Sequence, residues 1–160
     1  MSSADSAEGT GGGPDAYEPG PGLTHRDADW SGLRVLVAGL GISGFAAADA
    51  LLERGAHVLG VDTGSGQTLE ERAKILRILD ARLVLGDDAS VAMERPAGLL
   101  ADIDLVVTSP GWRPDNPLLA AARDAGIPVW GEVELAWRMR PERDPAPWLT
   151  ITGTNGKTTV

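Results

Sequence analysis

Leu33-Arg34-Val35-Leu36-Val37-Ala38-Gly39-Leu40-Gly41-Ile42-Ser43-Gly44-Phe45-Ala46-Ala47-Ala48 is the stretch whose reading decides the fold. A short apolar run ends in three glycines at Gly-x-Gly-x-x-Gly spacing, and an alanine-rich segment follows. That order predicts strand, glycine turn, helix. The first glycine permits a tight turn, the second lets a ligand approach the backbone, and the third lets helix and strand pack closely. The free N–H groups and positive dipole end of the new helix favour a phosphate above the turn. Taken alone the spacing is a weak signal, and its plainest reading is a nicotinamide or flavin dinucleotide site.

Working outward, the helix is expected over Ser43–Arg54, with Gly55 as its C-terminal cap. A second strand, His57–Val61, ends at Asp62. Its distance from the turn is close to the ~20 residues that bring a carboxylate to a ribose hydroxyl in such folds. The alternative reading of Asp62 is a cap on the loop Thr63-Gly64-Ser65-Gly66. Leu69, Ala73, Leu76 and Leu79 form one apolar face of a helix over Leu69–Leu79. Glu70, Glu71, Arg72, Lys74 and Arg77 read as its solvated face. A third strand, Arg82–Leu85, ends in a turn at Gly86-Asp87-Asp88, and a short helix broken by Pro96 lies between Val91 and Leu100. Leu105–Thr108 is a buried fourth strand ending at Ser109-Pro110-Gly111. A helix over Pro117–Asp124 takes Asn116 as N-cap and Gly126 as C-cap. Ile127–Trp130 is the fifth strand, and Gly131–Arg138 the last helix. Short crossovers of this kind require a parallel sheet with helices on both faces, an α/β fold whose ligands bind beyond the carboxyl ends of the strands. Trp112, Trp130, Trp137 and Trp148 are expected in the core, where large aromatics dominate packing.

Composition sets the outer limits. With 160 residues, 42% of them hydrophobic, the chain is long enough for one medium domain with a real core. No cysteine is present, so disulfides and thiolate metal sites are excluded. No apolar run reaches the ~20 residues of a membrane span. The N-terminus lacks the basic-then-apolar order of a secretory signal. Net charge is −9, and residues 1–29 supply −5 of it through six acids and one arginine. Such a chain does not bind nucleic acid by phosphate neutralisation. Anionic ligands must be held by local amides and single cations rather than by a general positive field. Residues 1–29, rich in Gly, Pro, Ser and Asp, read as a disordered tail.

The proline-rich segment 141–147 reads as a linker and domain boundary between the domain at 30–140 and a second unit beginning at 148. There a strand, Trp148–Thr152, runs into Gly153-Thr154-Asn155-Gly156-Lys157-Thr158-Thr159. Glycines, a lysine and hydroxyls directly after a strand are the chemistry of a phosphate-binding loop. Amides cradle the phosphates, Lys157 reaches the outer phosphates, and the Thr158 hydroxyl takes Mg²⁺. The loop departs from the general Gly-x-x-x-x-Gly-Lys-[Ser/Thr] form, because its first glycine is Gly153, with Ile151 where that form places it. The sequence reaches only one turn into the helix this loop needs. It reads as the N-terminal part of a longer protein, inactive by itself.

Gly39–Gly44, Asp62, Thr108-Ser109-Pro110-Gly111, Gly131-Glu132-Val133-Glu134-Leu135 and Thr152–Thr159 together resemble the Mur ligases of peptidoglycan synthesis. The first loop with Ser-Pro-Gly and Gly-Glu-x-Glu-Leu resembles the members that add D-glutamate. The resemblance implies a Rossmann-like parallel-sheet domain that holds a uridine nucleotide, followed by the start of a P-loop ATP-binding domain. It implies that Gly41, Ile42, Ser43, Asp62, Thr63 and Gly86 line the UDP part of the substrate. Many members of the family carry an arginine after the Asp-Thr pair, and this chain has Gly64 there. The resemblance further implies that Gly153, Thr154, Asn155, Gly156, Lys157, Thr158 and Thr159 bind ATP, with Lys157 catalytic and Thr158 on Mg²⁺. The implied reaction activates the carboxylate of UDP-N-acetylmuramoyl-L-alanine as an acyl phosphate, and the amine of D-glutamate displaces the phosphate. The implied setting is the cytoplasm and the implied state a monomer. An NAD-binding oxidoreductase domain, a non-catalytic nucleotide-binding module and another Mur-type ligase remain as alternatives.

Overall fold

The computed structural model describes residues 22–150. The strands are β1 (Arg34–Ala38), β2 (His57–Asp62), β3 (Arg82–Leu85), β4 (Leu105–Thr108) and β5 (Val129–Gly131). The helices are α1 (Ile42–Leu52), α2 (Gln67–Ile78), α3 (Gly86–Met93), α4 (Pro96–Leu100), α5 (Pro117–Asp124) and α6 (Glu132–Arg138). All strand pairs are parallel, in the order β3-β2-β1-β4-β5. The order reverses direction between β1 and β4, which makes the loops after these two strands the walls of the ligand crevice.

Alternation along β1 divides the core. Val35 and Val37 face a cluster with Leu51, Leu76 and Trp130, while Leu36 and Ala38 face one with Val106, Leu118 and Leu119. A strand buried on both faces needs no polar alternation, which is why β1 and β4 read as continuous apolar runs. Each fully buried leucine or valine contributes about 1.5–3 kcal/mol of transfer free energy.

Element boundaries follow the expected ones closely, with informative exceptions. The turn expected at 86–88 is the first turn of α3, where Asp87 and Asp88 meet the positive end of the helix dipole. The single broken helix expected at 91–100 is two helices, because Pro96 takes the first-turn position of α4. β5 starts at Val129, after Pro128, which has no N–H to give the ladder although its carbonyl accepts from Val106 N at 2.9 Å. α1 ends at Leu52, and Gly55 then adopts the expected positive φ of 78°. Leu79 of the expected apolar face of α2 is exposed, whereas Ala73 and Leu76 are buried.

The tail expected through residue 29 is corrected at its end. Leu23 is buried, and its carbonyl accepts from the buried Arg138 guanidinium at 3.1 Å. Arg26 N donates to Arg140 O at 2.9 Å. Arg138 also pairs with Glu134 at 2.7 Å and lies 4.4 Å from the Trp130 ring centroid. The tryptophans divide as well. Trp130 is buried and Trp112 partly so, but Trp137 is 46% and Trp148 39% exposed, stacked edge to face on each other at 5.3 Å. Residues 148–150 of the expected strand 148–152 pair with no strand, and the rest of it lies outside the described residues.

Candidate functional site

The glycine turn follows the central strand, and its backbone is held from three directions. Gly39 has φ 88°, a conformation that favours glycine. Gly39 N donates to Val61 O at 2.8 Å, and Gly39 O accepts from Ser109 Oγ at 2.8 Å. Leu40 N donates to Asp62 Oδ2 at 2.6 Å, and Leu40 O accepts from Arg72 Nη1 at 3.3 Å. The Leu40 side chain is fully buried beneath the turn. The turn is therefore a preformed surface rather than a flexible loop.

The first and third glycines have the expected backbone roles, and the second is left open. A side chain at Gly39 would run into the Trp112 indole, and one at Gly44 would overlap the carbonyl oxygen of Gly39. Among the described residues nothing lies within 4 Å of the position a side chain would take at Gly41. Gly41 is the N-cap of α1, and no side chain caps that helix. The first-turn N–H groups, including those of Ile42 and Ser43, have no partner within the helix and belong to its positive end. An open glycine beside uncapped amides is what an approaching phosphate requires.

The remaining residues expected at the UDP end converge on the same edge of the sheet. Asp62 closes β2, and its second oxygen accepts from Gly64 N at 2.7 Å. It is therefore the loop cap that one reading of the sequence allowed. Each carboxylate oxygen keeps a further acceptor site, so this role leaves room for a hydroxyl donor. Thr63 borders a cleft of about 430 Å³ with Met93, Gly111, Trp112, Arg113 and Asn116. Gly86 follows β3, and a side chain there would lie 3.9 Å from the carbonyl oxygen of Gly64. Ile42 is 79% exposed, and together with Ser43 it lines a groove of about 380 Å³ between α1 and α6. Trp148 lines that groove too, as does Glu132, whose buried Oε2 has no hydrogen-bond partner among the described residues. A hollow of about 430 Å³ at the opposite end of the sheet is bordered by Arg34, His57, Asp80 and Arg82. None of the motif loops reaches it, and ligands of doubly wound sheets sit at the carboxyl ends, so the candidate site lies at the turn.

Two contributors were not foreseen. Ser109 belongs to a motif the sequence displayed, but its bond to the glycine turn, 70 residues away in the chain, was not readable. Arg72 looked like one charge among many on α2. The residues expected to bind ATP, Gly153–Thr159 with Lys157 and Thr158, lie outside the described residues. Among the described residues no group of His, Asp and Glu side chains is placed to hold a metal ion. No helix among them is long and apolar enough to cross a membrane.

Comparison with known proteins agrees with this geometry. Residues 33–131 match the family described as Mur ligase MurD-like, N-terminal domain. Among curated proteins, the chain is 54% identical over 129 residues to a UDP-N-acetylmuramoylalanine–D-glutamate ligase of Thermobifida fusca, covering 81% of this chain and 26% of that protein. It is 51% identical over 152 residues to the enzyme of that name from Frankia casuarinae, covering 95% and 30%. The chain thus spans between a quarter and a third of these relatives. Among solved structures, the UDP-N-acetylmuramate-alanine ligase of Thermotoga maritima aligns with a TM-score of 0.50 at 26% identity, covering 63% of this chain and 21% of that one.

Proposed function

Because this chain belongs to the Mur ligase MurD-like family, we propose that it is the substrate-anchoring part of an ATP-dependent ligase that adds D-glutamate to UDP-N-acetylmuramoyl-L-alanine. The observation that carries the reading is the open position at Gly41 beside the uncapped N-terminus of α1. There the chain offers backbone amides to a diphosphate, as an acidic protein must when it binds an anion without a positive field. Gly41, Ile42 and Ser43 would hold the diphosphate, and Asp62, Thr63 and Gly86 would border the uridine.

The same reading divides the chain into the domain at 30–140, a linker at 141–147 and the start of an ATP-binding domain at 148–160. Gly153, Thr154, Asn155, Gly156, Lys157, Thr158 and Thr159 would hold ATP, with Lys157 on its phosphates and Thr158 on Mg²⁺, and these would supply carboxylate activation. Trp148 lines the same groove as Ile42 and Ser43, which supports a second unit starting beside the first loop. A bound substrate could then be anchored at one end while its carboxylate extends towards the next domain. We further propose a monomeric, cytoplasmic enzyme in which residues 1–160 alone bind nucleotide but do not turn over. No observation favours the oxidoreductase reading, which rested on Gly39–Gly44 and Asp62 alone.

The test is phosphate release. The full-length protein should release phosphate from ATP only when UDP-N-acetylmuramoyl-L-alanine and D-glutamate are both present. Lys157→Ala should abolish release while leaving UDP binding intact. Equal loss of both, or stabilisation of the chain by NADH and not by UDP, would refute the assignment.

A further inference from the structure

We propose that Arg72 is the cation that receives the diphosphate at the glycine turn. The inference rests on reading the turn as a nucleoside-diphosphate site. Three observations support it. Arg72 reaches from the second turn of α2 across 32 residues of sequence to the Leu40 carbonyl, at 3.3 Å. Among the described residues that is its one side-chain hydrogen bond, which leaves the other donors of a five-donor guanidinium available. It sets the charge at the carbonyl of Leu40, the residue before Gly41.

Second, Arg72 has no ion-pair partner among the described residues. Arg113, in the loop after β4, is by contrast paired with Asp115 at 3.0 Å. Asp62, the acid on the adjoining strand end, is satisfied by the amides of Leu40 and Gly64 rather than by Arg72. Third, the loops at this edge of the sheet otherwise carry Asp62, Asp87, Asp88 and Asp115, in a chain of net charge −9. An anion arriving there meets carboxylates unless one cation is kept for it. Arg72 is partly buried, so its charge is less screened than that of a side chain in free solvent. Guanidinium geometry suits a phosphate, and such charge-assisted bonds are the strong ones. Arg72 therefore does two things with one side chain: it braces the turn through Leu40 and offers its remaining donors to the phosphate.

The experiment is titration of the intact chain with UDP by calorimetry and with uridine by NMR, at low and high salt. Arg72→Met should weaken UDP about tenfold or more, the loss of a charged hydrogen bond, and leave uridine affinity unchanged. Arg72→Lys should keep most of the UDP affinity. Wild-type affinity for UDP should fall with salt more steeply than that of Arg72→Met. Unchanged UDP affinity in Arg72→Met, or equal loss for UDP and uridine, overturns the proposal and leaves Arg72 as a brace. Should Arg72→Met fail to fold, the salt dependence of wild type and Arg72→Lys decides, and a flat response overturns it. Failure of the wild-type chain to bind UDP at all refutes the diphosphate site itself, a result distinct from every outcome for Arg72.

Discussion

Gly41 and Gly44 lie three residues apart in one turn and tolerate opposite changes. A methyl group at Gly44 has nowhere to go, because the Gly39 carbonyl oxygen occupies its place. Gly44→Ala should cost about 3 kcal/mol or more, read as a lowered urea midpoint with unchanged slope. Gly41→Val meets open space, so its unfolding free energy should stay within about 0.5 kcal/mol of wild type. Its UDP affinity should nonetheless collapse, since the side chain fills the volume a phosphate would take. Asp62→Ala belongs to the same scale. It strips the partner from the amides of Leu40 and Gly64, and should destabilise by about 1–3 kcal/mol even without ligand. The glycine spacing made the turn legible because three backbone demands leave few other residue choices. Arg72 was not legible, because its meaning depends on how α2 lies against α1, and nothing in a run of alternating charges encodes that angle.

Among the elements, the start of β1 is clamped to the start of β4. Asp104 accepts from Arg34 N at 2.9 Å and from the Arg34 guanidinium at 2.9 and 3.1 Å. The bond from the Arg34 side chain holds the Asp104 carboxyl below its ordinary value of 3.8, and the same bond raises Arg34. A carboxyl lowered in the folded state stabilises fully above its unfolded pKa and loses that contribution as pH falls through the folded value. Asp104→Asn should therefore be less stable than wild type at neutral pH. The gap should close as pH drops below about 4, checked by urea midpoints across that range. Near the same end of the sheet, Arg138→Met should cost about 2 kcal/mol and loosen the segment from Leu23 onward, seen as faster amide exchange at Arg26. That segment was misread because composition averages over a window. One leucine and one tryptophan among glycines and acids suffice to anchor it, and the average hides them. Trp137 and Trp148 went astray for a related reason, since an aromatic pair can satisfy each other and Arg140, 3.2 Å from the Trp137 ring centre, without entering the core.

For the molecule as a whole, the alternation of strands and helices was enough to give a parallel sheet, because short crossovers permit no other pairing. The order β3-β2-β1-β4-β5 came from the structure, as apolar runs of similar length do not say which neighbours they choose. That order has a consequence in time. The bonds that shape the glycine turn come from Val61 and Asp62, then Arg72, then Ser109, each later in the chain than the last. As the protein leaves the ribosome, the turn emerges early and stays unfinished until Ser109 arrives, 70 residues after Gly39. Until β4 docks, β1 has an open edge that is apolar from Val35 to Ala38, the kind of surface on which nascent chains associate. A chain released before residue 105 should aggregate and bind no UDP, whereas one released after 140 should do neither. Nucleotide competence and protection from aggregation are then acquired in a single late step of synthesis.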